Sequence, residues 1–214
     1  MRNTSPARQS CRWLFLLVAG AMLGGCAASP PKVQSDLCQI FDEYPEWYDY
    51  AKASEEKWGT PAHIQMAFIQ RESSFVSNAA PPFEWLLFIP LGRPSSAYGY
   101  AQIQDPAWED YTKANGALFK SRTDMEDALD FIGWYNHISR KRLGISLWDP
   151  YRLYLAYHEG HGGYSRGSYN SKPKLLKVAR QVQAKAETYG AQLSRCEERF
   201  QCRRWYEVGP FCSK

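Results

Sequence analysis

Helix-start punctuation constrains this chain more than any other feature. Three times a capping residue is followed by proline, at Thr60-Pro61, Asp105-Pro106 and Asp149-Pro150, and Pro45 and Pro173 open two further periodic stretches. Proline suits the first helical position, where its missing N–H would have no partner anyway and its φ is already set. The Thr and Asp side chains accept from the free N–H groups of the first turn. Behind these starts the apolar residues recur at helical spacing. Glu46 to Trp58 ends before Gly59, and Thr60 starts a helix running to about Ser73. The Asp105 helix has Gly116 as its stop, and Thr123 or Asp124 opens a longer one with Leu129, Ile132, Tyr135 and Ile138 on one side. Asp149-Pro150 starts a short helix through Tyr157. Pro173 to Tyr189 carries Leu175, Leu176, Ala179, Val182 and Ala186, with Gly190 beyond it. No alternating run is long enough for a sheet, and no internal repeat occurs. The expectation is a mainly α protein with one domain over residues 36–195, large enough for a single core.

Residues 1–25 read as a targeting segment. Arg2, Arg8 and Arg12 precede an apolar run of 11 residues, Trp13 to Leu23, too short to span a bilayer comfortably. It ends in Leu23-Gly24-Gly25-Cys26, which resembles the bacterial lipoprotein signal. That resemblance implies cleavage before Cys26 and acylation of it, with several acyl chains giving stable anchoring. Ala27 rather than Asp follows the cysteine, which in enterobacterial-type sorting implies the periplasmic face of a Gram-negative outer membrane. Residues 26–35, with Ser29-Pro30-Pro31, read as an extended lipidated tether. Losing the three leader arginines takes the formal charge from +4 to about +1. No basic stripe or recognition motif points to nucleic acid.

Cysteine usage agrees with export. Without Cys11 and Cys26, four remain: Cys38, Cys196, Cys202 and Cys212. In an oxidising compartment they imply two disulfides with three possible connectivities, and no close C-x₂₋₄-C pair favours zinc. The favoured arrangement pairs Cys38 with Cys196, tying the domain's ends, and Cys202 with Cys212. Residues 196–214 then form a disulfide-held C-terminal tail, where Arg199, Arg203 and Arg204, with Arg195 just before it, are balanced by Glu197, Glu198 and Glu207 on a solvated face.

Glu72 is the candidate for chemistry. Ile64, Phe68 and Glu72 recur at four-residue spacing and share one helix face, so the carboxyl rides on a stripe expected to be buried. Burial disfavours its charged form, which is how a general acid for glycoside cleavage is made near neutral pH. The alternative is that Glu72 turns into solvent as its helix ends.

Three segments then align with a family. Glu72-Ser73-Ser74-Phe75 resembles the Glu-Ser motif of the soluble lytic transglycosylases, lysozyme-like family-1 enzymes. Gly99-Tyr100-Ala101-Gln102-Ile103 resembles their Gly-Leu-Met-Gln motif, and Ala156-Tyr157-His158-Glu159-Gly160 their Ala-Tyr-Asn-Ala-Gly motif. The order matches, and the resemblance covers Trp47 to Tyr189. It implies a lysozyme-like fold and a carbon–oxygen lyase cleaving the β-1,4 bond between N-acetylmuramic acid and N-acetylglucosamine in peptidoglycan. Glu72 would act as acid and then as base while a 1,6-anhydro ring closes. Ser73 would support the carboxyl or the substrate, unless it simply bonds backbone at the helix end. Gln102 would bond substrate, Gly99 would allow close backbone approach, and the Tyr157 hydroxyl would meet Glu72 or the N-acetyl group. No cofactor is implied; the partners are glycan strands, the membrane through Cys26 and a component of the cell-wall machinery, with the protein a monomer.

Two departures stand out. His158 and Glu159 replace the family's Asn and Ala. His158 is expected to orient substrate and to add a titrating group. Glu159 is expected on the solvent side, though as a second carboxylate it would favour hydrolysis. His158 and His161 are expected in a glycine loop at Gly160, Gly162 and Gly163, not on a metal-binding helix. The other departure is length: thirty positions separate Glu72 from Gln102, including the apolar run Pro81 to Gly92. This run is expected to add to the core, the alternative being an exposed flap touching glycan, lipid or a partner. Beside the lyase stand two other readings, a lysozyme-type hydrolase and a wall-binding lipoprotein without turnover.

Overall fold

The computed structural model describes residues 29–116 and 118–201. Among them are eight α-helices: α1 (Leu37–Glu43), α2 (Pro45–Trp58), α3 (Ala62–Ser73), α4 (Asp105–Asn115), α5 (Met125–Leu143), α6 (Pro150–Ser165), α7 (Pro173–Cys196) and α8 (Glu198–Gln201). A 3-10 turn at Ser168–Ser171 links α6 to α7. The expected helices are present, and the chemistry of their starts is mostly as read. Asp124 and Asp149 cap α5 and α6 by accepting from Asp127 N–H and Arg152 N–H. Two starts differ by a residue: Pro61 rather than Thr60 caps α3, and Gln104 rather than Asp105 caps α4.

The core is built where the apolar stripes meet. α2 packs along α5, and Gly133 allows the approach: a Cβ there would lie 2.4 Å from Ser54 Oγ and 2.7 Å from the Trp58 ring. Asp130 ties this layer together, accepting from Trp58 Nε1 (2.7 Å), Lys57 Nζ (2.9 Å) and the Tyr111 hydroxyl of α4. α3 packs between α2 and α7, with Met66, Ala67, Phe68 and Ile69 wholly buried.

Several boundaries differ from expectation. α7 runs through Gly190 to Cys196, because Tyr189 at the predicted end and Leu193 and Cys196 beyond it are buried and hold it against the domain. The expected tail boundary at 196 therefore falls at a helix end packed in the core. Phe200 of α8 is buried between Phe41 and Tyr48 (5.7 and 5.3 Å), and Arg199 pairs with Asp42. α1 was not anticipated, although Asp36 caps it and Leu37, Ile40 and Phe41 form its buried face. The disulfide joins Cys38 to Cys196 across 158 residues, which by loop entropy stabilises by about 5 kcal/mol. Cys26, Cys202 and Cys212 lie outside the described residues.

The tether reading is corrected from Ser29 onward. Ser29 bonds the Tyr44 hydroxyl, Lys32 N–H donates to Glu43 (3.0 Å), Gln34 Nε2 donates to the Ser74 carbonyl (3.0 Å), and Pro31 is buried. The Tyr189 hydroxyl and Gln192 Nε2 of α7 donate to the Gln34 and Ser35 carbonyls, so the segment is docked at the ends of α1 and α3 and along α7 rather than free.

The apolar run is corrected too. It forms an antiparallel hairpin, β1 (Glu84–Leu86) and β2 (Ile89–Gly92), pairing Leu86 with Ile89 and Trp85 with Pro90. It adds nothing to the core: Trp85, Leu86, Ile89 and Leu91 are 59–61 % exposed. A two-stranded ribbon has no second layer to bury against unless the domain supplies one.

Candidate active site

Glu72 stands one residue from the end of α3, at a sharp exit. Ser74 (φ 51) and Phe75 (φ 62) both take left-handed backbone, which costs non-glycine residues on the order of 1 kcal/mol or more each. Phe75 anchors the turn by burying its ring on Trp47 at 5.7 Å. The chain thus leaves α3 at once, and Glu72 opens onto a cleft of about 560 Å³. Desolvation raises its pKa to about 7, against the opposing hydrogen bond from Tyr154 and the charge of Arg71. Arg71 is therefore too weak a neighbour to keep it ionised.

The second motif closes into a loop beneath the cleft. Tyr98 and Ile103 bond reciprocally (3.2 and 3.1 Å), and between them Gly99 takes φ 82. A Cβ at Gly99 would lie 1.9 Å from the Arg122 carbonyl, so glycine is required by neighbouring backbone. The close approach expected at Gly99 is real, but its partner is Arg122. Gln102, also left-handed at φ 49, donates its Nε2 to the carbonyls of Ala79 (2.8 Å) and Gly99 (3.0 Å). Its side chain lines the cleft while bracing the loop.

The third motif locks onto the second. Tyr157 donates its hydroxyl to the Ala101 carbonyl at 2.7 Å, and its ring packs edge-on to Phe68 and Tyr135. Its burial keeps the phenol protonated. Tyr157 lines the cleft as expected, but the hydroxyl bonding Glu72 belongs to Tyr154, one helical turn earlier on α6. The sequence reading missed Tyr154; its i,i+3 relation to Tyr157 was the available signal. Ser73 takes its plainer alternative, bonding the Ile69 carbonyl at 3.3 Å.

Glu159 is not on the solvent side. α6 breaks at Gly160 (φ 72, ψ 158), and the 3-10 turn folds back beside the break. The Glu159 side chain is 3 % exposed and accepts from Lys172 Nζ (2.7 and 3.0 Å), from the Ser168 hydroxyl and from His158 Nδ1 (3.2 Å). Burial alone would raise its pKa, but the Lys172, Ser168 and His158 bonds outweigh it and hold the carboxyl at about 2. His158 is exposed at the cleft edge. His161 lies on the helical continuation after the break, not in a loop, stacked on Tyr135 at 4.4 Å and 2.9 Å from Ser139 Oγ. Burial lowers its pKa.

The cleft thus has two carboxylates among the described residues, one poised to hold a proton and one held ionised. A search of curated proteins finds no match. A family model described as Transglycosylase SLT domain matches residues 14–196, most of the chain and all three motifs. The chain belongs to the transglycosylase SLT domain family, in the lysozyme-like superfamily, and its function is of the peptidoglycan-acting, lytic-transglycosylase type.

Proposed function

We propose that this protein cleaves the β-1,4 bond between N-acetylmuramic acid and N-acetylglucosamine and leaves a 1,6-anhydro-muramoyl end. The observation that carries the reading is the desolvated Glu72 carboxyl, with a pKa of about 7, facing the cleft. Near neutral pH a large share of it is protonated and can donate to the glycosidic oxygen as the C1–O bond breaks. The resulting Glu72 carboxylate accepts the proton of the muramoyl C6 hydroxyl as O6 bonds to C1. No water is consumed, and Glu72 ends protonated as it began.

A two-carboxylate hydrolysis needs a second group free to activate water or to attack C1. Glu159 lines the same cleft, but its oxygens are occupied by Lys172, Ser168 and His158. Its role in this reading is to fix His158 at the cleft edge, where His158 orients substrate, and to tie in Lys172 of the following turn. Tyr154 steadies the Glu72 carboxyl, and Gln102 and Tyr157 hold the loop that forms the cleft floor.

Mass spectrometry of digested peptidoglycan tests this reading. Anhydro-muropeptides are the expected product. Reducing ends would make the protein a lysozyme-type hydrolase, and intact glycan would make it a binding protein. We further propose acylation of Cys26 and residence at the outer membrane, tested by mass spectrometry of the mature N-terminus and by membrane fractionation. Release of an unmodified protein would refute the anchor.

A further inference from the structure

The hairpin stands outside the proposed reaction, and its composition asks for an occupant. From Trp85 to Leu91 there is no charged side chain, and the two turn residues, Leu87 and Phe88, are 86 and 93 % exposed. Leu87 takes φ 57, a left-handed position that favours glycine, so the turn keeps a bulky apolar residue at a local conformational cost. Arg93 closes the base by donating to the Pro81 carbonyl. From these features and from the docked N-terminal segment we infer that the hairpin is a membrane-inserting wedge, its tip seated among the lipids of the leaflet to which the protein is anchored.

Three observations favour lipid over the other occupants. Glycan is held by aromatic faces backed by hydrogen-bonding side chains; Trp85 and Phe88 supply faces, but no hydroxyl, amide or charged side chain from Trp85 to Leu91 stands beside them to meet sugar hydroxyls. A second copy would add a strand to an open edge, but Pro90 removes an N–H from β2, a common device against edge pairing. The ribbon pairs only its inward-facing backbone groups, so insertion is confined to the apolar tip at interfacial depth, where the outer edges still meet headgroups and water, and it carries Trp85, a residue type enriched at membrane interfaces.

The third observation is how the segment from Ser29 is docked. The Tyr44 hydroxyl donates to the Ser29 carbonyl at 2.7 Å, Tyr44 stacks on Trp47 at 4.2 Å, and Trp47 stacks on Phe75 at 5.7 Å. Phe75 opens the segment that leads, nine residues later, into β1, so the N-terminal strap packs in one row with the start of that segment. Only Ala27 and Ala28 separate Cys26 from Ser29, a reach of about 10 Å. This part of the argument rests on the proposed acylation of Cys26: the lipid then holds that row beside the bilayer, and the hairpin supplies a second contact. Two contacts also orient the cleft, because Pro81 and Ser95, at the two bases of the hairpin, line it.

The test uses mature protein carrying Cys26→Ser, and so unacylated, with vesicles of phosphatidylethanolamine and phosphatidylglycerol. The protein is expected to float with the vesicles, and Leu87→Ser combined with Phe88→Ser to weaken partitioning at least about tenfold. Leu87→Gly relieves the left-handed turn, so it cannot act by unfolding it; a several-fold loss is expected. Brominated acyl chains should quench a fluorescence component that disappears in Trp85→Phe. Failure of the unacylated protein to bind, or binding indifferent to the tip variants, overturns the proposal. So does a lipid-free dimer or a sacculus interaction lost in the same variants, either of which assigns the hairpin to another occupant. Vesicle binding involves no turnover, and acylation is read separately at the N-terminus, so failure of either earlier reading leaves this readout intact.

Discussion

Glu72 and Glu159 line one cleft, yet their surroundings give them opposite character. Glu72 ends an apolar helix whose inner face is wholly buried, and the groups that favour its ionised form are a single tyrosine bond and one neighbouring charge. Desolvation wins, and the carboxyl keeps its proton up to about pH 7. The Glu159 side chain is covered as well, though at a shallower position near the surface, and the break at Gly160 lets the 168–172 turn bring it an ammonium and a hydroxyl. Specific partners win there, and the proton leaves at about pH 2. Enclosure alone therefore does not make an acid; enclosure without a donor set does.

The sharpest break would come from exchanging each carboxyl for its amide. Glu72→Gln should lower the release of muropeptides by about a thousandfold or more, since general-acid catalysis alone contributes on the order of 10²–10⁴. Comparable residual activity would remove Glu72 from the chemistry. The same variant should be more stable than the parent at high pH. The folded carboxyl has its pKa raised from 4.5 to about 7, so native protein holds a proton that unfolded chain releases. Stability therefore falls as pH rises from 4.5 to 7, by up to on the order of 3 kcal/mol. The melting temperature of Glu72→Gln should exceed the parent's at pH 8 and converge with it near pH 4.5. Glu159 carries the reverse sign: its stabilisation is present above pH 4.5 and lost as pH falls towards 2. Glu159→Gln should thus be less stable at pH 7, by on the order of 1 kcal/mol because Lys172 is half exposed and screened. Parallel pH profiles for the two variants would erase the distinction.

The same contrast marks what could be read from the chain without its fold. Glu72 was found by spacing, because a four-residue repeat places a residue on a face and that face was apolar. The proline-led helices were legible for a similar reason, since a cap acts within one turn. Glu159 was misplaced because its partners, Ser168 and Lys172, reach it only through the break at Gly160. Gly99 and Ser73 matched a motif, but the Arg122 carbonyl and the Ile69 carbonyl that occupy them are tertiary and helix-end facts. The hairpin escaped notice because Trp85-Leu86-Leu87-Phe88-Ile89 does not alternate and its turn lacks glycine or asparagine. The strap at 29–35 escaped because Tyr189 and Gln192, which hold it, lie more than 150 positions away.

Smaller effects sharpen the comparison on the catalytic side. Glu159→Gln should reduce turnover by no more than about tenfold, consistent with a residue that positions Lys172 and His158 through paired bonds rather than reacting. Its products should remain anhydro-muropeptides; a loss matching that of Glu72→Gln would assign Glu159 to the chemistry.

Tyr154→Phe probes the balance at Glu72 itself. The tyrosine bond favours the ionised carboxyl, and desolvation opposes it. Removing the hydroxyl leaves burial unopposed except by Arg71, so the Glu72 pKa should rise, by on the order of one unit for a hydrogen bond to a charged group. A base that must later take the C6 proton then becomes stronger, and an acid that must first give its own becomes weaker. The activity profile should extend to higher pH on its alkaline side while the maximum rate changes only a few-fold. An alkaline limb that stays in place would mean that the limb does not report Glu72, and the assignment of its proton to catalysis would lose its main support.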